Sequence, residues 1–352
     1  MTFTNRVSAI TQDRILPKEV DNFFGDNSFI PYRFLGTGEE WGGTSLKIPV
    51  TLGKNNNGRT FSGMATAPLS TVQTRQSMEY FLKSYRISMT IPGLDKVVNK
   101  GEEAILKLIA QETATTFYSL LDDVSTLFYG AGAGEDFNGL DNLADDGTTA
   151  STIGGLSRTT YPTLAGTRTS VSSTLTLDKM ATFAMNLSSG SGMKNRPTEF
   201  VSDETVWNLA EKLIITGTVQ ANYNTNGYPM VTRRSKAPIK AAELSGGYGF
   251  QSIIFRGIPM IYDEKSTAQT LWGLNDNYLT WYGAKSDDLK PISLPSAIDS
   301  VNDMPSEDTG IQWSGFKDAY AEFGEAAFIY LIGEFITTQP RRQGRLTSVV
   351  NV

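Results

Sequence analysis

The sequence predicts an α+β fold, in which helices and strands come in separate runs instead of strict alternation. Three stretches carry this prediction: a long helical pattern at residues 99–130, alternating apolar and polar residues within 44–92, and a strongly apolar alternating run at 316–336. Apolar residues at three- and four-residue steps indicate a helix, and a two-residue period indicates a half-buried strand. We therefore expect one long helix with strands lying against it.

The long helical pattern begins with a capping signal and ends at a glycine. Asn99 followed three residues later by Glu102 resembles a capping box, and Gly130 is typical of a helix C-terminus. At ~1.5 Å per residue this helix would be roughly 45 Å long. Its apolar face consists of Ile105, Leu108, Ile109, Phe117, Leu120, Leu121, Val124, Leu127 and Phe128.

The alternating stretch before the helix predicts a long hairpin. Even-numbered apolar residues from Leu46 to Leu52 alternate with polar ones, the Gly and Asn residues of 53–58 favour a turn, and residues 59–63 are predicted as the return strand. A further alternating run follows at 81–91. Because an isolated hairpin is only marginally stable in water, it must lie on its own domain or on another chain.

The second half of the chain mixes shorter helices and strands. Residues 177–187 form an amphipathic pattern, and Asp203 fits the N-cap of a helix that carries Val206, Trp207 and Leu209. Strands are predicted at 197–202, 253–255, 258–262, 269–274 and 278–282, with Arg256-Gly257 as a turn.

The composition excludes several classes of chemistry. The 352 residues include no cysteine and no histidine, which removes disulfides, thiolate metal sites, the serine-triad base and the commonest transition-metal ligand. Lys and Arg total 31 against 37 Asp and Glu, a net charge of −6, which argues against tight nucleic-acid binding. We expect no cofactor, no metal and no enzyme activity.

No signal peptide or membrane-spanning stretch is visible in the sequence. The first residues lack a charged start followed by an apolar run, and no segment approaches the ~20 apolar residues of a spanning helix. The expected product is a soluble protein made in a cytoplasm.

The charged and glycine-rich motifs favour structural roles. The acidic pairs at 102–103, 122–123, 145–146 and 287–288 are not catalytic dyads by spacing, so solvated faces and caps explain them, although the fold can still bring two carboxylates together. The Gly-Ala run at 130–134 follows a helix and lacks the Gly-Lys-Ser/Thr ending of a phosphate loop. It is interpreted as a connector.

Three groups of residues are candidates for contacts between subunits. Phe23 and Phe24 belong either to a loop-rich opening or to an arm whose aromatic side chains dock on a neighbour. Lys54, Asn55, Asn57, Arg59 and Phe61 surround the hairpin tip, which is either a simple polar turn or a contact point. Arg341, Arg342 and Arg345 form the densest basic cluster, for which we favour inter-subunit ion pairs or a solvated strand edge over phosphate contact.

The order of these parts resembles the major capsid protein of tailed bacteriophages, the Hong Kong 97-like fold that encapsulin shells also use. The segment Phe137-Asn138-Gly139-Leu140 with residues 152–162 looks like the stretch after the long helix in phage capsid sequences. Residues 255–260 followed by Trp272-Gly273-Leu274 resemble the late strands of the central domain. The resemblance covers nearly the whole chain.

The resemblance implies a division into named parts. Residues 1–43 would be the N-terminal arm and 44–92 the E-loop. The peripheral domain would comprise 93–172, with the spine helix at 99–130, together with the C-terminal strands at 316–352, and 173–315 would be the axial domain.

The resemblance also implies partners and a location. Copies of the chain would form pentamers and hexamers of an icosahedral shell around packaged double-stranded DNA, touched only weakly and non-specifically. Portal, scaffolding and decoration proteins are candidate partners, and no membrane is involved. The protein would belong to the virion and assemble in the host cytoplasm.

Two other functions remain open from the sequence. An encapsulin-type nanocompartment shell would share the fold and would need a pocket for a cargo peptide, which the sequence does not locate. A carboxylate-based carbohydrate-active enzyme would instead be monomeric and active on a sugar polymer.

Overall fold

The computed structural model describes residues 28–35, 38–64, 66, 69–98, 102–188, 195–220, 252–286, 289–291, 310–319 and 323–350. The helices are α1 Phe29–Leu35, α2 Gly93–Val98, α3 Glu102–Tyr129, α4 Leu140–Leu143, α5 Leu177–Leu187 and α6 Glu204–Gln220. Short 3-10 helices lie at Pro162–Leu164, Asp276–Tyr278 and Pro340–Arg342.

The strands fall into two large sheets and two small hairpins. They are β1 Glu39–Glu40, β2 Ser45–Thr51, β3 Arg75–Phe81, β4 Lys83–Pro92, β5 Thr152–Ile153, β6 Leu156–Ser157, β7 Thr167–Ser173, β8 Glu199–Ser202, β9 Ser252–Phe255, β10 Ile258–Tyr262, β11 Leu271–Leu274, β12 Leu279–Gly283, β13 Lys290–Pro291, β14 Ile311–Trp313, β15 Lys317–Asp318, β16 Gly324–Thr337 and β17 Gly344–Val349.

The first large sheet is built on β16, a strand of 14 residues. Its order is β1-β12-β16-β14-β13, and β4 and β15 also pair with β16. The antiparallel pairing with β4 runs from Gly324 opposite Pro92 to Gly333 opposite Lys83. Two stretches far apart in the chain, both predicted from their two-residue period, therefore lie side by side.

Helix α3 packs on this sheet, as the apolar face of residues 99–130 predicts. Phe117, Leu120, Val124 and Phe128 are buried, and Leu121 and Leu127 are partly buried in the same core. The Phe128 ring stacks on Phe335 of β16 with centroids 5.2 Å apart. The long helix and its expected supporting strands are confirmed for residues 102–129, whereas the Asn99 capping box lies outside the described residues.

The second large sheet separates two hydrophobic cores. Its order is β7-β17-β11-β8-β10-β9, with mixed parallel and antiparallel pairs. Because side chains alternate across a strand, neighbours in sequence enter different cores. Val201, Ile261 and Trp272 face the core of α3, whereas Phe200, Met260 and Leu271 face the core of α5 and α6.

Local signals in this half of the chain match the structure. Helix α5 has the predicted bounds, and Asp203 accepts a hydrogen bond from the backbone N–H of Val206 at the start of α6. The turn between β9 and β10 places Arg256 and Gly257 at φ 53° and 82°, the left-handed pair of a two-residue hairpin turn. The predicted helix, cap and hairpin are confirmed.

The N-terminal helix α1 is fixed to the body by a buried carboxylate. Asp263 accepts hydrogen bonds from Ser28 Oγ at 2.8 Å and Phe29 N at 2.9 Å, which supplies an N-cap from a distant strand end. The hydroxyl of Tyr129, the last residue of α3, donates to the same carboxylate at 2.7 Å. One side chain thus joins α1, α3 and the end of β10.

A buried charge network ties the C-terminal strand β17 to the segment after α3. Asp145 has no exposed surface and accepts a hydrogen bond from Arg345 Nη2 at 3.0 Å. It also accepts hydrogen bonds from the backbone N–H groups of Gly147, Thr149 and Ala150. Arg345 also pairs with Asp141. The interpretations of Asp145 as a solvated acid and of Arg345 as an inter-subunit or solvated arginine are therefore wrong, because both side chains neutralise each other inside the subunit.

The predicted return strand of the hairpin is also wrong. Residues 59–63 contain no strand and are exposed, and the partner of β2 is β3, which begins twelve residues later. The Gly-Asn turn chemistry is local, whereas the actual connection spans residues 52–74. The hairpin exists, but its tip is much longer than the sequence indicated.

Candidate subunit-contact surfaces

Strands β2 and β3 form a two-stranded ribbon with one apolar face. Leu46 pairs with Tyr80 and Ile48 with Met78, and these side chains pack toward the core of α3. Leu52 N donates a hydrogen bond to Thr74 O at 2.8 Å. Because hydrogen-bonded and non-hydrogen-bonded pairs alternate in an antiparallel ladder, the backbone groups of the even-numbered residues of β2 face β3. The nitrogen of Pro49 therefore faces the outer edge of the ribbon. A proline there leaves no N–H for another strand, which protects the ribbon edge from pairing.

The ribbon tip, defined as residues 52–74, presents apolar side chains to solvent. Phe61 is 76% exposed, Met64 105%, Leu69 95% and Val72 41%. A cluster of large exposed apolar residues on one projecting segment is typical of an interaction surface, since scattered single residues are the norm elsewhere. Sequence reasoning found Phe61 but missed the other three, because they follow no two-residue period.

Hydrogen bonds within the tip involve two of the predicted contact residues. Asn57 accepts from Ser70 Oγ at 3.0 Å and donates its amide to the carbonyl of Ser70, which bridges the two sides of the loop. Asn55 accepts from Asn57 N at 3.0 Å. Lys54 and Arg59 are exposed. Within the subunit, the asparagines shape the tip that carries the apolar side chains.

The other predicted contact residues have different surroundings. Arg341 is exposed, whereas Arg342 is buried and directs its guanidinium toward Gln339 Oε1 and the carbonyl of Asn195, each at 3.4 Å. Phe23 and Phe24 lie outside the described residues. A role for any of these four residues in subunit contacts stays a prediction.

A second apolar patch lies where β4 meets α2. Leu94 and Val97 of α2 and the ring of Phe323 are exposed. A Cβ at Gly93 would approach that ring to 2.5 Å, so the glycine lets Phe323 cover the backbone there. No pattern in the sequence indicated this patch.

One pair of carboxyl groups is brought together by the fold. Burial and the neighbouring negative charge of Asp276 raise the pKa of Glu199 well above its usual range. Arg33 of α1 contacts Asp276 at 2.6 Å. Glu199 is 5% exposed, whereas the side chain of Asp276 is 19% exposed and anchors α1 through Arg33.

Solved structures show the same architecture. The capsid asymmetric unit of cyanophage A-1(L) is 14% identical, with a TM-score of 0.72 and coverage of 99% of this chain and 100% of that one. A structure from Mycobacterium phage Cain is 10% identical, with a TM-score of 0.55 over 100% of both chains. The holo-SrpI encapsulin from Synechococcus elongatus PCC 7942 is 9% identical, with a TM-score of 0.56 and coverage of 99% and 96%.

The chain has the Hong Kong 97-like capsid fold. The predicted fold class is thereby confirmed. No family model and no curated protein matches the sequence.

Within the described ranges no helix has the length and apolarity to cross a membrane, and no cluster of three acidic side chains is placed to hold a metal ion.

In this capsid fold, the ribbon joins the body beside a buried glutamate. Glu334 of β16 is 1% exposed and accepts from the backbone N–H of Asn138 at 2.7 Å and of Phe335 at 3.1 Å. Lys83, the first residue of β4, lies 3.5 Å from its other oxygen and also donates to the carbonyl of Asp136. Burial raises the pKa of Glu334 to about 7, although the two N–H groups and Lys83 lower it.

Glu334 should make the stability of the subunit depend on pH. The pKa of Glu334 is higher in the folded state than the usual 4.5. The stabilisation that protonated Glu334 gives the folded subunit is therefore complete below pH 4.5 and is lost as the pH rises through about 7. The loss amounts to about 3 kcal/mol at 1.36 kcal/mol per pKa unit. Urea unfolding of the unassembled subunit between pH 5 and 8 measures this slope.

Glu334→Gln should flatten that slope, because the amide keeps an acceptor for Asn138 and Phe335 but does not ionise. Glu325→Gln, on the same strand and only half-buried, is the matched control and should retain the wild-type slope. A Glu334→Gln variant whose unfolding free energy changes with pH as the wild type's does would contradict the assignment.

Proposed function

We propose that this chain is a major capsid protein that self-assembles into pentamers and hexamers, which close into an icosahedral phage head around double-stranded DNA. The observation that carries the proposal is the end-to-end match with the cyanophage capsid subunit, at a TM-score of 0.72 over 99% of this chain. At 14% identity this likeness establishes the fold, and the assembly role is our inference from it together with the exposed surfaces.

The ribbon tip supports an assembly role on physical grounds. Phe61, Met64 and Leu69 have few contacts in the isolated subunit, and covering them with a neighbour would stabilise an interface by about 1.5–3 kcal/mol per side chain. We propose that the tip is the end of the E-loop and lies across an adjacent subunit. Lys54 and Arg59 would provide polar contacts around this apolar centre, as in a typical interface rim.

The remaining parts of the chain are assigned by the same proposal. Residues 1–43, including Phe23 and Phe24, would form the arm, and 173–315 the axial domain. The peripheral domain would combine 93–172 with 316–352, and Arg341 and Arg342 would lie near a subunit boundary. Strands β7 and β17, from the peripheral stretches, share one sheet with β8 to β11. We therefore expect the peripheral and axial regions to move as one body.

The charge of the chain fits a shell that encloses DNA without gripping it. The net charge of −6 gives little attraction for a phosphate backbone, whose tight binding requires clustered Lys and Arg. The proposed location is the virion, after assembly in the host cytoplasm. Portal, scaffolding and decoration proteins are the proposed further partners.

We propose no enzyme activity for this protein. The burial of Glu199 beside Asp276 supports this, because a glycosidase must admit a sugar and a water molecule between its two carboxyl groups.

An encapsulin-type compartment is the second candidate function. The match to the holo-SrpI encapsulin over 99% of this chain favours it, although the TM-score of 0.56 is lower than that of the cyanophage capsid. The contents of purified particles distinguish the two functions. DNA packaged in a phage infection supports the capsid, and a co-purifying protein cargo supports the compartment.

Electron microscopy of the purified protein, combined with its sedimentation, tests the proposed function. We expect closed shells or capsomers of five and six copies. A stable monomer of 38.5 kDa at milligram-per-millilitre concentrations, with hydrolase activity on a polysaccharide, would overturn both shell functions.

A further inference from the structure

The turn of the small β5–β6 hairpin contacts the inner strand of the ribbon. Gly154 O accepts a hydrogen bond from Glu79 N of β3 at 3.0 Å. Ile153 and Met78 are buried in the same core, at 2% and 0% exposure. The segment after the spine helix therefore reaches back and supports the ribbon next to the point where it joins the body.

The contact at Gly154 is too close for any side chain. A Cβ on Gly154 would lie 2.7 Å from Met78 Cβ and 3.2 Å from Met78 Cα, whereas ordinary contacts begin at 3.4 Å. The ribbon would have to shift by about 0.7 Å to restore an ordinary contact. At the adjacent Gly155, an added Cβ would meet nothing within 4 Å. Only the first glycine of the turn limits the position of the ribbon.

The base of the ribbon is also held by contacts with β16. The hydroxyl of Tyr80 donates to Thr337 O of β16 at 3.3 Å. Lys83 contacts Glu334 just beyond Leu82, the single residue between β3 and β4. The base of the ribbon is therefore fixed both by the turn at Gly154 and by β16.

A small shift at this base is amplified along the ribbon. Met78 is four residues from Leu82. Thr74, where β3 meets the tip, is eight residues from Leu82. Because strand residues advance by a constant ~3.3 Å, a rotation about Leu82 moves Thr74 about twice as far as Met78, and the tip beyond it farther still. The apolar side chains of the tip would be displaced most.

We propose that the Gly154 turn is a positioning element that sets the angle at which the ribbon leaves the body, and thereby the geometry of contact between copies of this chain. This inference rests on the proposed shell function. The close backbone approach at Gly154 fixes the ribbon, the ribbon directs Phe61, Met64 and Leu69, and those side chains meet the neighbouring copy at a defined angle.

Gly154→Ala and Gly155→Ala test this assignment as a matched pair. Both glycines have positive φ, 52° and 75°, so both substitutions strain the backbone similarly, but only Gly154→Ala presses on Met78. The expected result is the loss of shells of wild-type diameter for Gly154→Ala and their retention for Gly155→Ala, measured by cryo-electron microscopy of particles with thermal unfolding of the subunits alongside.

A second pair keeps the test decisive if Gly154→Ala does not fold. Met78→Ala loosens the contact with the turn, whereas Met89→Ala removes an equally buried methionine from β4, away from it. Met78→Ala should broaden the distribution of particle diameters and Met89→Ala should not. Wild-type shells from Gly154→Ala, or the same diameters from both methionine variants, would overturn the positioning role. A wild type that forms neither shells nor capsomers would instead overturn the proposed function itself.

Discussion

Replacing Phe61, Met64 and Leu69 together with serine is expected to abolish shell closure while the subunit remains folded. The three side chains are among the most exposed apolar groups of the described residues, so their loss removes almost no contact within the subunit. The free energy of unfolding should therefore change by no more than about 0.5 kcal/mol, as for surface substitutions in general. The interface, in contrast, would lose about 5 kcal/mol of apolar burial for each tip.

Particle counts by electron microscopy and the thermal midpoint of the subunit measure the two effects separately. Met185→Ser on α5 is the matched control, because this methionine is also strongly exposed but lies outside the ribbon tip. It should leave both shells and stability unchanged. Normal shells from the triple variant would show that the tip does not carry the subunit contacts.

Asp145→Asn is expected to lower the free energy of unfolding by about 3–5 kcal/mol, the usual cost of breaking a buried ion pair. The substitution removes the carboxylate that faces Arg158 and leaves Arg345 paired with Asp141 only, inside the protein. It also weakens the acceptor for the backbone N–H groups of Gly147, Thr149 and Ala150. The junction between β17 and the segment after α3 should open first.

The pH dependence of this effect has a definite sign. Burial alone would raise the pKa of Asp145, but the N–H donors of Ala150, Gly147 and Thr149 and the charge of Arg345 bring it below its usual value. The wild type therefore gains this stabilisation above pH ~4 and loses it as the pH falls further. The Asn variant should lack that acid-dependent loss.

Urea unfolding at pH 7 and at pH 3–4 measures both predictions for Asp145. Asp146→Asn is the control, since Asp146 is the next residue, is exposed, and makes only a local turn with Thr148 that asparagine can reproduce. It should change the unfolding free energy by no more than about 0.5 kcal/mol. Equal effects of the two substitutions would contradict the buried network.

The sequence predicted those parts of the fold that local rules determine. The period of α3, the cap at Asp203 and the two-residue turn at Arg256-Gly257 each depend on neighbours within a few residues, and each was predicted correctly. The order of the predicted parts, with β4 before α3 and β16 near the end, was sufficient to suggest the Hong Kong 97-like fold.

The remaining parts depend on contacts between distant residues. Residues 59–63 were predicted to pair with β2 because they follow the nearest turn. In the structure β2 pairs with β3 instead, because this pairing buries Met78 and Tyr80 in the core. Asp145 and Arg345 are 200 residues apart, and Asp263 caps a helix 234 residues before it. No local pattern indicates such pairs, so acids that resemble solvated residues in the sequence are buried in the structure.

A cryo-electron microscopy reconstruction of the wild-type particle tests the central claim most directly, namely that the ribbon tip joins copies of this chain into a shell. The account predicts that Phe61, Met64 and Leu69 of every copy lie buried against a neighbouring copy. A closed particle in which these three side chains remain in solvent would contradict it.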